Sequence, residues 1–191
     1  MISRRAFTYG LGVFSLTYSV ASFSQEPLAP VTAMNLSAKE KAKHEQFMRG
    51  AIEQAKKNKP YPFGAVIVNQ ETGEVVAEGV NVSSMNPIHH AEIVAITDFM
   101  ERHGRADLKN MTLYTTGEPC AMCMGAIAWC GIPRVVWGSS IEKIRQSGIR
   151  QIDIGAVEVA KRAKEFYRPD SLIAGILASE SDLLFDQRNH R

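Results

Sequence analysis

No run of 18 or more apolar residues occurs in this 191-residue chain. That excludes a conventional membrane-spanning helix and leaves one compact domain with extensions as the expected organisation. Acidic residues are missing from the first 25 positions, where Arg4 and Arg5 are the only charges. Without those two arginines the formal charge of +2 falls to zero, so the body of the chain is neutral. A neutral body lacks the excess of Lys and Arg with which proteins hold long nucleic acids through their phosphates. Small uncharged partners fit better, and no nucleic-acid partner is expected. Cysteine is scarce: there are three, Cys120, Cys123 and Cys130. Three cannot complete a disulfide framework, and a chain of this length buries enough core not to need one. Metal binding therefore gains weight over stapling. Internal repeats and low-complexity segments are also missing.

What the N-terminus does contain has the layout of an address. Ser3-Arg4-Arg5-Ala6-Phe7 precedes an uncharged, modestly apolar stretch, YGLGVFSLTYSVA, and small residues follow at Ala21, Ser22 and Ser24. This is the tripartite form of a secretory signal peptide, with adjacent arginines of the twin-arginine type that exports folded proteins. Residues 1–24 are expected to be that signal, residues 25–36 with Pro27 and Pro30 a linker, and residues 37–191 the functional domain. A periplasmic location follows as an expectation, with no stable membrane insertion after processing.

Within the domain, Ser37-Ala38-Lys39-Glu40 has capping-box form, and Phe47, Met48, Ala51, Ile52 and Ala55 recur at helical spacing. Residues 63–68 and 74–80 are β-rich runs around the turn-like Gln70-Glu71-Thr72-Gly73, which predicts a hairpin. A loop over 81–89 leads to a helix from His90 to about His103, stopped by Gly104. A strand at 111–116, a helix from Pro119 to about Cys130 and a strand at 134–138 follow. Shorter helical patches near 140–147 and 155–166, an apolar run at 172–178 and a helix from Ser181 complete the chain. This alternation predicts an α/β sheet covered by helices on both faces.

The stretch Thr116-Gly117-Glu118-Pro119-Cys120-Ala121-Met122-Cys123 poses the chemical question. A structural zinc site wants four protein ligands, usually from a second Cys-x-x-Cys pair, and no second pair exists. A redox pair also follows a strand and opens a helix, so placement alone does not exclude one. A partner decides between them. About thirty residues upstream, His89-His90-Ala91-Glu92 lies at another loop-to-helix junction. His90, Cys120 and Cys123 would supply three ligands suited to one zinc ion per chain and leave the fourth tetrahedral position open, which defines a catalytic metal. Both thiolates gain from a helix N-terminus, and Pro119 costs nothing there because the first N–H of a helix has no partner. Glu92, on the same first turn as His90, would shuttle protons. Cys130 reads as a core thiol, His89 as loop packing or solvent-facing, His44, His103 and His190 as surface residues, and Met122 and Met124 as gap fillers.

His-Ala-Glu followed by Pro-Cys-x-x-Cys is the signature of zinc nucleobase deaminases. Through PFGAVIV at 62–68, HAEI at 90–93, LYTTGEPCAMCMGAI at 113–127 and RVVWG at 134–138, the chain resembles the cytidine and deoxycytidylate deaminase superfamily. Within it, the likeness is to the branch of guanine deaminases, fungal cytosine deaminases and tRNA adenosine deaminases. The resemblance implies a three-layer α/β/α sandwich with a mixed five-stranded sheet, a homodimer, and hydrolytic loss of ammonia from an amino-substituted ring. It also implies that the Ala91 N–H holds a ring oxygen and that Asn81 reads the substrate edge. Phe63 and Trp129 are candidate pocket walls or, equally, core residues. A free nucleobase or nucleoside is the expected substrate, of guanine type because GAI-x-W at 125–129 resembles guanine deaminases. The alternatives are a tRNA-specific adenosine deaminase, or a zinc- or thiol-handling protein without activity, which would have no use for Glu92.

Overall fold

Ser37 opens the first long helix as its sequence dictates. Its hydroxyl accepts from the Glu40 N–H at 3.3 Å, and the Glu40 carboxylate accepts from the Ser37 N–H at 3.0 Å, so two orphan donors are satisfied reciprocally. The structure, a computed structural model, describes residues 29–104 and 108–188. The expected signal peptide, residues 25–28 of the expected linker, and His190 lie outside them.

The elements in chain order are β1 (Val31–Thr32), a 3₁₀ turn (Ala33–Asn35), α1 (Ala38–Ala55), β2 (Gly64–Asn69), β3 (Val75–Val80), α2 (Ala91–His103), β4 (Met111–Gly117), α3 (Ala121–Cys130), β5 (Arg134–Ser139), α4 (Ile141–Gln146), α5 (Ala156–Arg162), β6 (Ser171–Ala174) and α6 (Ala178–Gln187). The strands form one mixed sheet in the order β1-β6-β5-β4-β2-β3. β2 pairs antiparallel with both β3 and β4, whereas β4, β5 and β6 run parallel. The sheet has six strands rather than the expected five. The extra one comes from the expected linker, because Val31 and Thr32 add parallel to Ile173 and Ala174 at the free edge of β6. Two residues flanked by Pro30 and a 3₁₀ turn carry too short a pattern to be read as a strand.

Alternation along each strand sorts the core into two layers. Val66, Val68, Tyr114, Val136 and Ile173 meet Phe47, Met48, Ala51 and Ile52 of α1. Ala65, Ile67, Leu113, Val135, Trp137 and Leu172 meet α2, α3 and α5 on the other face. The result is the expected three-layer sandwich. β4 is buried along its whole length, as a central strand covered on both faces must be. His44 is not a surface residue as expected: it is half-buried, with Nδ1 3.0 Å from the hydroxyl of the fully buried Tyr114. Burial, reinforced by Lys43, lowers its pKa.

Two glycines bring the helices down onto the hairpin. A Cβ on Gly79 would stand 2.1 Å from the Ala91 carbonyl oxygen and 2.5 Å from the Ala95 nitrogen; one on Gly64 would stand 2.1 Å from the Ala51 carbonyl oxygen. Only a residue without Cβ permits backbone-to-backbone contact at these points. For α2 this contact holds the helix at its first turn, where Ala91 and Glu92 sit.

Candidate metal centre

The N-cap residue of α2 is His90 and that of α3 is Cys120, both in extended backbone conformation. Such positions ordinarily use their side chains to accept from the first helical N–H groups. Neither does so here. Both side chains turn toward each other instead, with Cys123 one turn further along α3. His90 Nδ1 lies 3.6 Å from Cys120 Sγ and 3.5 Å from Cys123 Sγ, and the two sulfurs are 3.6 Å apart.

These three distances test the metal directly. A tetrahedral zinc with bonds of about 2.3 Å to sulfur and about 2.0–2.1 Å to nitrogen separates its donor atoms by about 3.5–3.8 Å. The near-equilateral triangle of His90, Cys120 and Cys123 is thus one face of a zinc tetrahedron, and among the described residues it is the one such group. A dithiol couple would need only its two sulfurs; here the imidazole stands at the same distance from both. The chain's donor set fits one zinc ion and leaves the fourth position to a non-protein ligand.

Electrostatics agree with the geometry. The Cys120 thiol is held down to about 4, first by the hydrogen bond from Cys123 and then, against burial, by His90. Cys123 is pushed up by that same bond and by burial, so Cys120 is the more acidic of the pair, and zinc binding must displace the second proton. Glu92 is 3 % exposed. Burial, and next the Cys120 charge, push its carboxyl up to about 7. His90 and Cys123, close by, offset part of that rise, which places Glu92 against the ligand triangle, and it is not one of the three grouped donors.

His90 also lines a cavity of ≈ 290 Å³ together with Phe63 and Asn81. Phe63, 8 % exposed, packs on Phe185 with ring centroids 4.9 Å apart. Asn81 is buried at the end of β3, where its Oδ1 accepts from the Ser83 N–H at 2.9 Å. Ala91 is fully buried at the first position of α2, where a backbone N–H has no intrahelical acceptor. His89 packs within its loop, 3.0 Å from the Asn86 amide.

Trp129 does not join these residues, and the expectation that it forms a pocket wall is corrected. It is 78 % exposed and stacks on Phe166 at 4.4 Å. At about 100° per residue, α3 turns Cys123, Met124, Ile127 and Ala128 inward and leaves Trp129 on the opposite face. Cys130 is half-buried against the core, and burial raises its thiol.

The far wall of the cavity was not legible as individual residues. It is formed by Ile149, Arg150 and Gln151 from the segment between α4 and α5, with Arg188 reaching in from the end of α6. Arg188 donates to the carbonyls of Pro60 and Ser147 at 2.8 and 2.9 Å and lies over the Tyr61 ring. Gly148, at φ 85°, is the sole sequence signal that the chain turns there.

A three-ligand zinc site with a buried carboxyl beside it, on an α/β/α sandwich, defines the class of hydrolytic zinc deaminases. The chain belongs to the cytidine and deoxycytidylate deaminase family: residues 41–139 match its zinc-binding region. A tRNA-specific adenosine deaminase of Rickettsia bellii is 34% identical over 145 residues, 72% of this chain and 93% of that protein. A probable cytosine deaminase of Schizosaccharomyces pombe is 39% identical over 51% of this chain, which spans 61% of that relative's length. The guanine deaminase of Bacillus subtilis shares the fold with a TM-score of 0.52 and 35% identity, covering 56% of this chain and 71% of that one.

Proposed function

We propose that this chain is a hydrolytic deaminase of a free nucleobase or nucleoside, with a guanine-type purine as its substrate. The observation that carries the reading is the buried Glu92 carboxyl set against the His90, Cys120 and Cys123 triangle, of which His90 lines a small cavity. Bound zinc supplies a Lewis acid that makes water nucleophilic near neutral pH. Glu92, poised near 7, takes a proton from that water and gives it to the ring nitrogen, then takes the proton of the hydroxyl added to the ring carbon and gives it to the departing amine. The exocyclic C–N bond breaks, a ring carbonyl forms and ammonia leaves. The Ala91 N–H holds a ring oxygen, Asn81 orients the polar edge, and Phe63 excludes water from the ring face. The likeness to guanine deaminase and the neutral body support the purine base.

A specific observation favours the second reading, a tRNA adenosine deaminase. Lys56, Lys59 and Arg188 line a groove that meets the cavity at Arg188, and the Rickettsia relative is matched over most of its length. An ammonia-release panel of guanine, guanosine, adenine, adenosine, cytosine, cytidine, pterins and tRNA separates the two. The purine reading expects the highest kcat/KM with guanine or guanosine and little change with salt. A preference for tRNA that collapses between low and moderate salt would replace it.

The same reading includes export by the twin-arginine route and a homodimer. Arg4-Arg5-Ala6-Phe7 and the uncharged stretch after it support the first. The exposed stacked pair of Trp129 and Phe166 supports the second, since a second copy would remove it from water. Bacterial expression of the full chain should yield a periplasmic species that begins near residue 25 and has a two-chain mass by light scattering. Retention in the cytoplasm with residue 1 intact, or a one-chain mass, would reject the respective part.

A further inference from the structure

Glu118 lies two residues before the zinc ligand Cys120, yet its carboxylate is not part of the donor group. Oε2 accepts the N–H of Ile141 at 3.1 Å and Oε1 accepts the N–H of Ala156 at 2.9 Å. These are the first residues of α4 and α5, so one carboxylate satisfies an orphan donor at two helix starts, where negative charge is also favoured by both dipoles. Its own N–H donates to the Ser139 carbonyl at 2.7 Å, and Pro119 stiffens the step to Cys120. The chain between the two clamped helices is the segment that supplies Ile149, Arg150 and Gln151 to the cavity wall.

We propose that Glu118 is a positioning residue for substrate recognition: it ties the wall of the cavity that His90 lines to the turn that carries Cys120. The distance between wall and metal is then set by a side chain two residues from Cys120 rather than by the length of the α4–α5 connection. This rests on the deaminase reading for its functional consequence, but the tie itself is independent of that reading. No carboxylate other than Glu118 is hydrogen-bonded to both helix starts among the described residues, and glutamine cannot replace it. An amide has one acceptor oxygen, and its NH₂ would face the second N–H donor to donor.

Two variants of the full-length, zinc-loaded protein probe the same contact from opposite sides. Glu118→Gln removes one acceptor. Gly155→Ala leaves the carboxylate but places a Cβ 2.9 Å from its Oε1, at a backbone conformation (φ -71°, ψ 158°) that alanine adopts freely. Each is expected to keep one zinc per chain and to raise KM for the best substrate by roughly 10- to 100-fold, the worth of a charged hydrogen bond, with kcat changed less. The double variant should be no worse than the more severe single one, since both break one contact. Hydrogen exchange at the Ile141 and Ala156 amides and across 147–155 should accelerate while α2 stays protected. Unchanged exchange in both variants overturns the tie whatever the substrate proves to be. Faster exchange with KM unchanged overturns the positioning role. Loss of zinc assigns Glu118 to the metal turn instead, and wild-type protein inactive on every compound would sink the deaminase reading while leaving the tie to the exchange data. Should Glu118→Gln fail to fold, Gly155→Ala alone decides.

Discussion

Glu92→Ala is expected to abolish ammonia release, lowering kcat by on the order of 10²–10⁴-fold or more, with one zinc per chain retained. Zinc persists because the donors are His90, Cys120 and Cys123, and their triangle closes without the carboxylate. Turnover fails because no other described acid or base is set against that triangle: His89 is bonded to Asn86 in its loop, and Glu118 is committed to two helix starts. Glu92→Gln makes the comparison stricter, since it keeps the volume of a side chain that is 3 % exposed and removes only the proton transfer. Its thermal midpoint should stay within a few degrees of wild type while its activity falls as far as that of the alanine variant. Metal analysis with an ammonia assay reads both outcomes, and turnover surviving in either variant would sink the mechanism. Zinc-bound wild-type protein that releases ammonia from nothing would instead favour a zinc-handling role.

Cys123→Ser should do the reverse and take the metal away. Cys123 is fully buried, and a hydroxyl there is a poorer zinc donor on a shorter bond. Zinc content is expected to fall from one per chain to a small fraction of that, and activity to background. Stability should fall as well, because His90 and Cys120 occupy the N-caps of α2 and α3 without capping them, leaving zinc as the link between the two helix starts. A ligand present at a thousandfold excess over its Kd stabilises by about 4 kcal/mol. At about 2–4 °C per kcal/mol for a domain of this size, the midpoint should drop by roughly 8–16 °C. Chelation of the wild-type protein should reproduce that loss, and added zinc should reverse it. A redox protein behaves differently: its reduced form would lose little stability in Cys123→Ser, and its thiols would alkylate readily whether or not zinc is present.

Much of the fold was legible because its signals are local. The capping box at Ser37, the turn between β2 and β3, and the glycine stop at 104 each act within a few residues, and each is found in the structure where its sequence places it. Where the reading failed, the cause was a direction or a partner rather than a propensity. An α3 that is apolar on every side does not announce which face is inward, so Trp129 could be placed on the pocket. Packing of Cys123 and Ile127 against the sheet turned it outward. His44 stands among Lys43 and Glu45 and looked exposed, yet β4 presents the Tyr114 hydroxyl to it from seventy residues away. Residues 31–32 became a strand only because β6 had a free edge.

The sequence by itself specified the donors: a histidine before Ala91-Glu92 and two cysteines one helical turn apart behind a proline name the ligands and the proposed proton carrier, whereas burial and the meeting of His90 with Cys120 set their acidity. The tertiary structure alone decided how those turns meet and what faces them. Gly79 lets α2 settle onto β3, and the parallel pairing of β4 with β5 brings Glu118 beside the starts of α4 and α5. The segment of Ile149, Arg150 and Gln151 lines the same cavity as His90, with Arg188 from the far end of the chain. Those contacts join residues up to 128 positions apart, and no periodicity or spacing along the chain encodes a distance across the sheet.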